Sequence, residues 1–319
     1  MNFNISDPEL KESRQGFADA LVELGHADKN IVVLGGDVTG SVKTNFFRDA
    51  FPERFISVGI AEQDMMGVAA GLALAGKIPF ASTYGEFATG RPFDQIRQSI
   101  AYSQMNVKIC ASHCGISVGP DGATHQSLED VGIMRILPHM NVITPCDYNQ
   151  TYRAVHECVK VKEPFYIRFY RDKTPNFTSM DLPFTFGKGD TLIDGTDVTL
   201  IANGLLVWES IIAADSLKKE GISVRVINMH TIKPIDREII VKAASETGLV
   251  ITCEDHQKQC GLFSAVAEVL ATELPTQMDY IAVEDTFGES GDMKSLMHKY
   301  KIDNIEIVNK VRKRLKYKK

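Results

Sequence analysis

Two kinds of hydrophobic pattern alternate along the chain. Short runs such as "NIVVLGG", "IPFASTY" and "PFYIRFY" are apolar at nearly every position, which is typical of strands buried on both faces of a parallel sheet. Between them, apolar residues recur every three or four positions, as they do on one face of a helix. This alternation predicts an α/β fold with a parallel sheet and helices on both of its faces.

The first predicted helix lies in "DPELKESRQGFADALVELG". Its apolar residues, among them Phe17 and Leu21, fall on one face. Asp7 is in the position of an N-cap, Pro8 suits the first helical position and Gly25 suits the end of the helix. We therefore expect a helix from about residue 8 to residue 24.

A break in the pattern divides the chain. The stretch "RDKTPNFTSMDLPFTFGKGD" contains prolines and glycines and shows little periodicity, which indicates a linker. The alternation of strands and helices then resumes. We predict a first domain over residues 1–172, a linker over 173–190 and a smaller three-layer α/β domain over 191–319.

Composition excludes several classes of protein. The chain has 319 residues, of which 44% are hydrophobic and 24% charged, as in an ordinary soluble protein. Its formal net charge of -6 gives no general reason to bind nucleic acid or an anionic membrane. Only the tail "NKVRKRLKYKK" is strongly basic, and we interpret it as a solvated C-terminal helix.

The six cysteines form no Cys-x-x-Cys pair, so we expect them to be reduced. Cys110, His113 and Cys114 are close in sequence, but no second pair accompanies them and no metal site is predicted. The start of the chain, at Met1 just before the first helix, lacks an apolar leader, and no apolar run is long enough to span a membrane. These features predict a natural, cytoplasmic subunit.

Candidate chemistry lies in loops that follow predicted strands, where ligands of α/β proteins bind. The glycine-rich loop "SHCGISVGPDGATHQS" contains His113, Asp121 and His125. In "GIAEQDMMGVAAGLALAG", Glu62 precedes a helix of small residues. From the residues alone, the loop is either a binding site or a structural turn, and Glu62 is either functional or a charge that stabilises the helix dipole.

Longer motifs resemble a known family. They are "GIAEQDMMGVAAGLALAG", "STYGEFATGRPFDQIR", "GPDGATHQSLEDVGIMRILPHMNVITPCD", "IKPID", "CEDH" and "FGESGD". Together they resemble the carboxyl-terminal half of transketolase and of 1-deoxyxylulose-5-phosphate synthase, over almost the whole chain. The resemblance implies the pyrimidine-binding domain of a thiamine diphosphate enzyme, followed by the transketolase C-terminal domain.

The resemblance also implies roles around the cofactor. Glu62 would share a proton with N1′ of the aminopyrimidine ring and so activate the cofactor. Tyr84 and Phe87 match an aromatic wall around that ring, and Asp37 matches an acid with a supporting role near the cofactor. Gly90 stands where a third aromatic residue is common in transketolases.

Further matches concern the substrate. Residues that bind the substrate phosphate in the family match Arg14, Ser41, His113 and Arg171. Asp121 and His125 match residues that hold sugar hydroxyls and manage protons. With Glu62 and His113 they complete the implied catalytic set, and the two arginines suit a sugar phosphate.

The family's Gly-Asp-Gly motif, which helps to hold Mg2+ and the cofactor diphosphate, does not occur in this chain. We therefore expect an N-terminal subunit on a separate polypeptide to bind both, in an assembly of two copies of each subunit. In that assembly the helix after Glu62 would face another chain, and the second domain would serve assembly more than catalysis. With its partner, the chain would transfer a two-carbon ketol unit between sugar phosphates.

Three alternatives stay open at this point. Two are different reactions on the same scaffold: a ligation like that of 1-deoxyxylulose-5-phosphate synthase, and the role of a 2-oxoacid dehydrogenase β subunit. The third is a catalytically silent assembly subunit.

Overall fold

The computed structural model describes residues 3–317, so the last two lysines of the basic tail lie outside it. The strands are β1 (Leu10–Glu12), β2 (Ile31–Gly35), β3 (Phe55–Ser57), β4 (Ile78–Tyr84), β5 (Lys108–Ser112), β6 (Asn141–Ile143), β7 (Phe165–Arg168), β8 (Lys173–Pro175), β9 (Asp190–Ile193), β10 (Val198–Ala202), β11 (Val224–Asn228), β12 (Thr231–Lys233), β13 (Leu249–Gln257) and β14 (Gln277–Val283).

The helices are α1 (Ser13–Ala27), α2 (Asn45–Ala50), α3 (Glu62–Leu74), α4 (Gly85–Thr89), α5 (Phe93–Gln95), α6 (Asp130–Arg135), α7 (Tyr148–Cys158), α8 (Leu206–Lys218), α9 (Arg237–Thr247), α10 (Leu262–Glu273), α11 (Met293–Lys299) and α12 (Asn304–Leu315). A π-helical segment, Ile96–Tyr102, continues α5. The helix α12 covers most of the basic tail, as predicted.

Two large sheets organise most of these elements, and β1 and β8 form a small third sheet. The first has the order β12-β6-β7-β5-β4-β2-β3 and the second β14-β13-β10-β11-β9. Within the two large sheets, neighbouring strands are parallel except for the edge strands β12 and β9, which pair antiparallel to β6 and β11. The α/β fold class is confirmed, with an antiparallel strand at one edge of each sheet.

Helices cover both faces of the first sheet. Successive strand residues point to opposite faces, so neighbouring residues of one strand contact different helices. Val33 of β2 belongs to a buried cluster with Phe17 of α1 and Val155 of α7. The next residue, Leu34, belongs to another buried cluster that includes Met65 of α3. The near-continuous apolar runs are thus explained by burial on two sides.

The predicted start of the first helix is wrong. Leu10–Glu12 forms the strand β1, which pairs antiparallel with β8, and α1 begins at Ser13. Asp7 and Pro8 therefore lie before the strand, and Glu12 occupies the N-cap position without a side-chain hydrogen bond. Gly25 is buried inside the helix, which ends at Ala27. Pairing with a distant strand overrides the local capping signals.

The predicted linker is partly regular. Its first residues form β8, and Asp190 at its end begins β9. In addition, β12 from the second half joins the first sheet. The two halves of the chain therefore share a sheet, and the predicted domain boundaries stay a prediction.

Within the described residues, no helix combines the length and the apolar character that crossing a membrane requires.

Candidate active site at the carboxyl ends of the first sheet

Four neighbouring strands of the first sheet, β7-β5-β4-β2, direct their carboxyl ends to one region. Asp37 follows β2, Tyr84 ends β4, His113 follows β5 and Arg171 follows β7. Asp37 and His113 adopt left-handed backbone conformations, with φ of 63° and 58°. Such conformations are uncommon for residues other than glycine and concentrate at functional sites.

Aromatic rings from the end of β4 and from α4 meet imidazole rings from the loop after β5 here. The Tyr84 ring stacks on His113 at 4.0 Å between centroids and lies 5.7 Å from Phe87, with which it is also stacked. His125 meets Phe87 edge-on at 5.1 Å. Tyr84 and Phe87 are therefore part of a wall beside two histidines, an arrangement that suits a flat ligand ring.

Basic side chains surround the same histidine. The Nη1 atom of Arg14 donates to the Ser41 carbonyl at 2.7 Å, and Nη1 of Arg171 lies 3.7 Å from the Asp121 carboxylate. Burial, followed by the nearby guanidinium groups of Arg14 and Arg171 and the imidazole of His125, lowers the pKa of His113 to about 3. The neutral imidazole of His113 can thus give or accept a hydrogen bond beside two guanidinium groups that can bind an anion.

Glu62 is the first residue of α3 and is only 4% exposed. Its Oε1 atom accepts a hydrogen bond from Nη1 of Arg91 at 2.9 Å, the one partner of this carboxylate among the described residues. The Arg91 guanidinium also lies over the Phe87 ring, 3.9 Å from its centroid. The second carboxylate oxygen of Glu62 is left for a donor on a ligand, so the site fits a heterocycle that is flat and carries a hydrogen-bonding nitrogen.

Comparison with known proteins identifies the family. Residues 11–176 match the family described as "Transketolase, pyrimidine binding domain". Residues 187–307 match the family described as "Transketolase, C-terminal domain". The chain belongs to the transketolase family. It is 44% identical to the "Putative transketolase C-terminal section" of Methanocaldococcus jannaschii, across 96% of this chain and 97% of that protein.

Other relatives match this chain over the same section of a transketolase. One of the subunits of the apulose-4-phosphate transketolase of Phocaeicola vulgatus is 40% identical, across 91% of this chain and 93% of the relative. Human transketolase is 36% identical across 94% of this chain, which spans only 48% of the human protein. A solved structure, "Split gene transketolase, inactive beta4 tetramer", has 46% identity and a TM-score of 0.91, covering 97% of this chain and 99% of that one.

These findings confirm that the chain corresponds to the C-terminal section of a split transketolase. They also confirm that it belongs to a family of transferases. The roles of individual residues stay predictions, although the structure brings Tyr84, Phe87, His113 and His125 into contact and places Arg14, Arg171 and Asp121 beside them.

Arg91 is a neighbour of Glu62 that sequence reasoning missed. It directly follows Gly90, the position at which the family commonly has an aromatic residue. Gly90 directly follows α4 and is exposed, while the flat guanidinium of Arg91 covers Phe87. A sequence signal existed, since an arginine next to a lost aromatic residue can replace its stacking, but only the structure shows the contact with Glu62.

Proposed function

We propose that this chain is the pyrimidine-binding subunit of a split transketolase and that it forms the active site together with an N-terminal, diphosphate-binding subunit. The complete enzyme transfers a two-carbon ketol unit from a ketose phosphate to an aldose phosphate. The observation that carries the proposal is the meeting of a buried carboxylate, an aromatic wall and a basic cluster at one end of the first sheet. Transketolases generally use thiamine diphosphate and a divalent metal.

Residues of this chain would hold the pyrimidine half of thiamine diphosphate. When bound, the cofactor supplies the carbanion chemistry of ketol transfer. Glu62 holds a proton at N1′ of the ring, Tyr84 and Phe87 shield the ring from water, and Asp37 supports the site from the end of β2. The partner subunit holds Mg2+ and the diphosphate, which need hard oxygen ligands.

The basic cluster would bind the substrate. Arg14 and Arg171 carry fixed charges suited to a phosphate group, and Ser41 lies at the Arg14 guanidinium. The neutral imidazole of His113 adds a hydrogen bond rather than a charge. Asp121 and His125, on the same loop as His113, hold sugar hydroxyls and move protons.

The exposed face of α3 would contact another chain. An added Cβ atom at Gly67 or Gly71 would meet nothing within 4 Å, and Leu74 and Ile60 are 78% and 73% exposed. Small residues permit close approach of backbones, and exposed apolar residues beside them gain free energy when another surface covers them. We propose an assembly with two copies of each subunit, located in the cytoplasm.

Reconstitution tests this function. The purified chain is expected to show no ketol transfer by itself, and activity is expected to appear when a purified transketolase N-terminal section with a Gly-Asp-Gly motif is added. The assay follows product formation from a panel of ketose and aldose phosphates. Full activity of the chain alone, or activity of the mixture only towards 2-oxoacids, would contradict the proposal.

Arg171→Ala tests the phosphate assignment. In the reconstituted enzyme it is expected to raise KM about 10- to 100-fold for phosphorylated sugars and far less for unphosphorylated analogues, because a charged hydrogen bond to the phosphate is lost. Arg97→Ala is the matched control, since Arg97 is exposed. Equal effects of Arg171→Ala on both classes of sugar would show that Arg171 does not bind the phosphate.

A further inference from the structure

The loop that carries His113, Asp121 and His125 is held from the second half of the chain. We call residues 113–126 the site loop. At its first bend, the two carboxylate oxygens of Asp255 accept hydrogen bonds from the backbone N–H groups of Ile116, at 2.8 Å, and Ser117, at 3.3 Å. Asp255 belongs to β13 of the second sheet. The contact therefore joins a strand of the second half to the turn that aims the site residues.

The contact is tight and specific. Gly115 has a φ of 81°, and a Cβ atom at this position would overlap the Asp255 carboxylate. A glycine is needed here both for the backbone conformation and for the close approach of Asp255. Any displacement of the carboxylate would consequently move the site loop at the residues directly after His113 and Cys114.

Burial of the Asp255 carboxylate costs free energy because it disfavours the ionised form. Asp255 is 1% exposed, and burial raises its pKa, opposed chiefly by the positive charge of Arg168 and by the hydrogen bonds from the loop. Buried charges persist where hydrogen bonds and opposite charges compensate for the lost water. The charge of Arg168 and the two loop N–H groups together provide that compensation, so the carboxylate and the loop hold each other in place.

The same residue is tied to the strand that leads to Arg171. Nη2 of Arg168, in β7, donates to the Asp255 carbonyl at 2.8 Å, and Arg168 also forms a buried ion pair with Asp130 at 2.8 Å. Arg171 follows β7 three residues later and donates to the Val118 carbonyl of the site loop at 3.2 Å. Asp255 therefore contacts both the site loop and the strand that leads to Arg171.

A second contact fixes the far end of the site loop. Nε2 of Gln126 donates to the carbonyl of Glu289, in the loop before α11, at 2.9 Å. The backbone N–H of Gly291 donates to the Gly119 carbonyl at 3.4 Å. The site loop is thus held at both ends by residues of the second half.

We propose that Asp255 is a positioning residue for the substrate: it fixes the site loop relative to Arg171, so that the second half of the chain determines the geometry of phosphate binding. This inference rests on the proposed function of the site. It departs from the expectation that the second domain serves mainly assembly. Asp255 contacts neither Glu62 nor Tyr84, and Tyr84 meets the site loop by stacking on His113, which precedes the turn that Asp255 holds. We therefore expect Asp255 to affect the phosphate side of the site more than the pyrimidine side.

Asp255→Asn in the reconstituted enzyme is the test. The neutral amide keeps the shape of the side chain but replaces one acceptor oxygen with a donor that faces a backbone N–H group. We expect KM for phosphorylated sugars to rise about tenfold, because small displacements of positioning groups have large effects. We expect the affinity for thiamine diphosphate to stay within about twofold, and amide hydrogen exchange at Ile116 and Ser117 to become at least about tenfold faster.

Glu254→Gln is the matched control. Glu254 is the preceding residue of β13 and is equally buried, and its carboxylate also accepts two backbone N–H groups, those of Leu262 and Phe263 at the start of α10. These bonds lie within the second half, so Glu254→Gln is expected to lower the thermal stability without changing KM. Asp255→Ser, which keeps a single acceptor, replaces Asp255→Asn if that variant does not fold.

Two results would overturn the inference: equal KM values for Asp255→Asn and the unmodified enzyme, or a rise in KM that Glu254→Gln reproduces. A failure of the proposed function is distinguishable from these. In that case the reconstituted mixture would show no ketol transfer between sugar phosphates, while hydrogen exchange at Ile116 and Ser117 would still report whether Asp255 holds the loop.

Discussion

Glu62→Gln is expected to slow ketol transfer by the reconstituted enzyme by about three orders of magnitude, within the range of acid–base contributions in enzymes. Glutamine keeps the size of the side chain and can still accept a hydrogen bond from Arg91, but it cannot exchange a proton with N1′ of the cofactor. Glu62 is buried and Arg91 is its one side-chain partner among residues 3–317, so no other carboxylate of this part of the chain is in contact with it to take over this role.

The measurement is the rate of hydrogen–deuterium exchange at C2 of bound thiamine diphosphate, followed by NMR after acid quenching. Asp64→Asn is the control, because Asp64 lies in the same first turn of α3 but is exposed. Cofactor affinity and thermal unfolding, measured in parallel, separate a chemical effect from a loss of structure. Exchange at the unmodified rate in Glu62→Gln would remove Glu62 from its proposed role.

Gly71→Trp is expected to abolish assembly and, with it, all activity. Within one chain the substitution is tolerated, since nothing lies within 4 Å of an added Cβ atom and tryptophan favours helix more than glycine does. At a tightly packed contact between chains, however, an indole ring in place of a hydrogen atom would keep the two backbones apart.

Light scattering after size-exclusion chromatography measures this outcome as the mass of the complex. Ala271→Trp serves as the control, because Ala271 is an exposed small residue on α10. An unaltered fold of the isolated Gly71→Trp chain, checked by circular dichroism, is part of the expected result. An intact, active complex would show that this face of α3 is not an interface.

The order of strands and helices could be predicted from the sequence because burial on both faces of a sheet requires apolar residues at consecutive positions. Helix ends carry a local signal where the cap is local, as at Asp147, whose side chain accepts a hydrogen bond from the backbone N–H of Gln150 at the start of α7. They were predicted poorly where a distant segment intervenes. The pairing of Leu10–Glu12 with Lys173–Pro175 left no local signal, and neither did the antiparallel addition of β12 to the first sheet.

The candidate site shows the same division. The sequence by itself determined which residue types were present, and motifs around Glu62, Tyr84 and His125 were enough to point to transketolase chemistry. Only the tertiary structure decided which groups touch them. The contacts of Arg91 with Glu62 and of Asp255 with the site loop cross about 30 and about 140 residues of chain, respectively.

The physical reason is that periodicity and capping are properties of neighbouring residues, whereas the partner of a buried charge depends on how whole elements pack. The local sequence pattern therefore determined the strands, the helices and the types of reactive residue in this chain. Packing decided that a strand of the second half supports the loop that carries three of the candidate site residues.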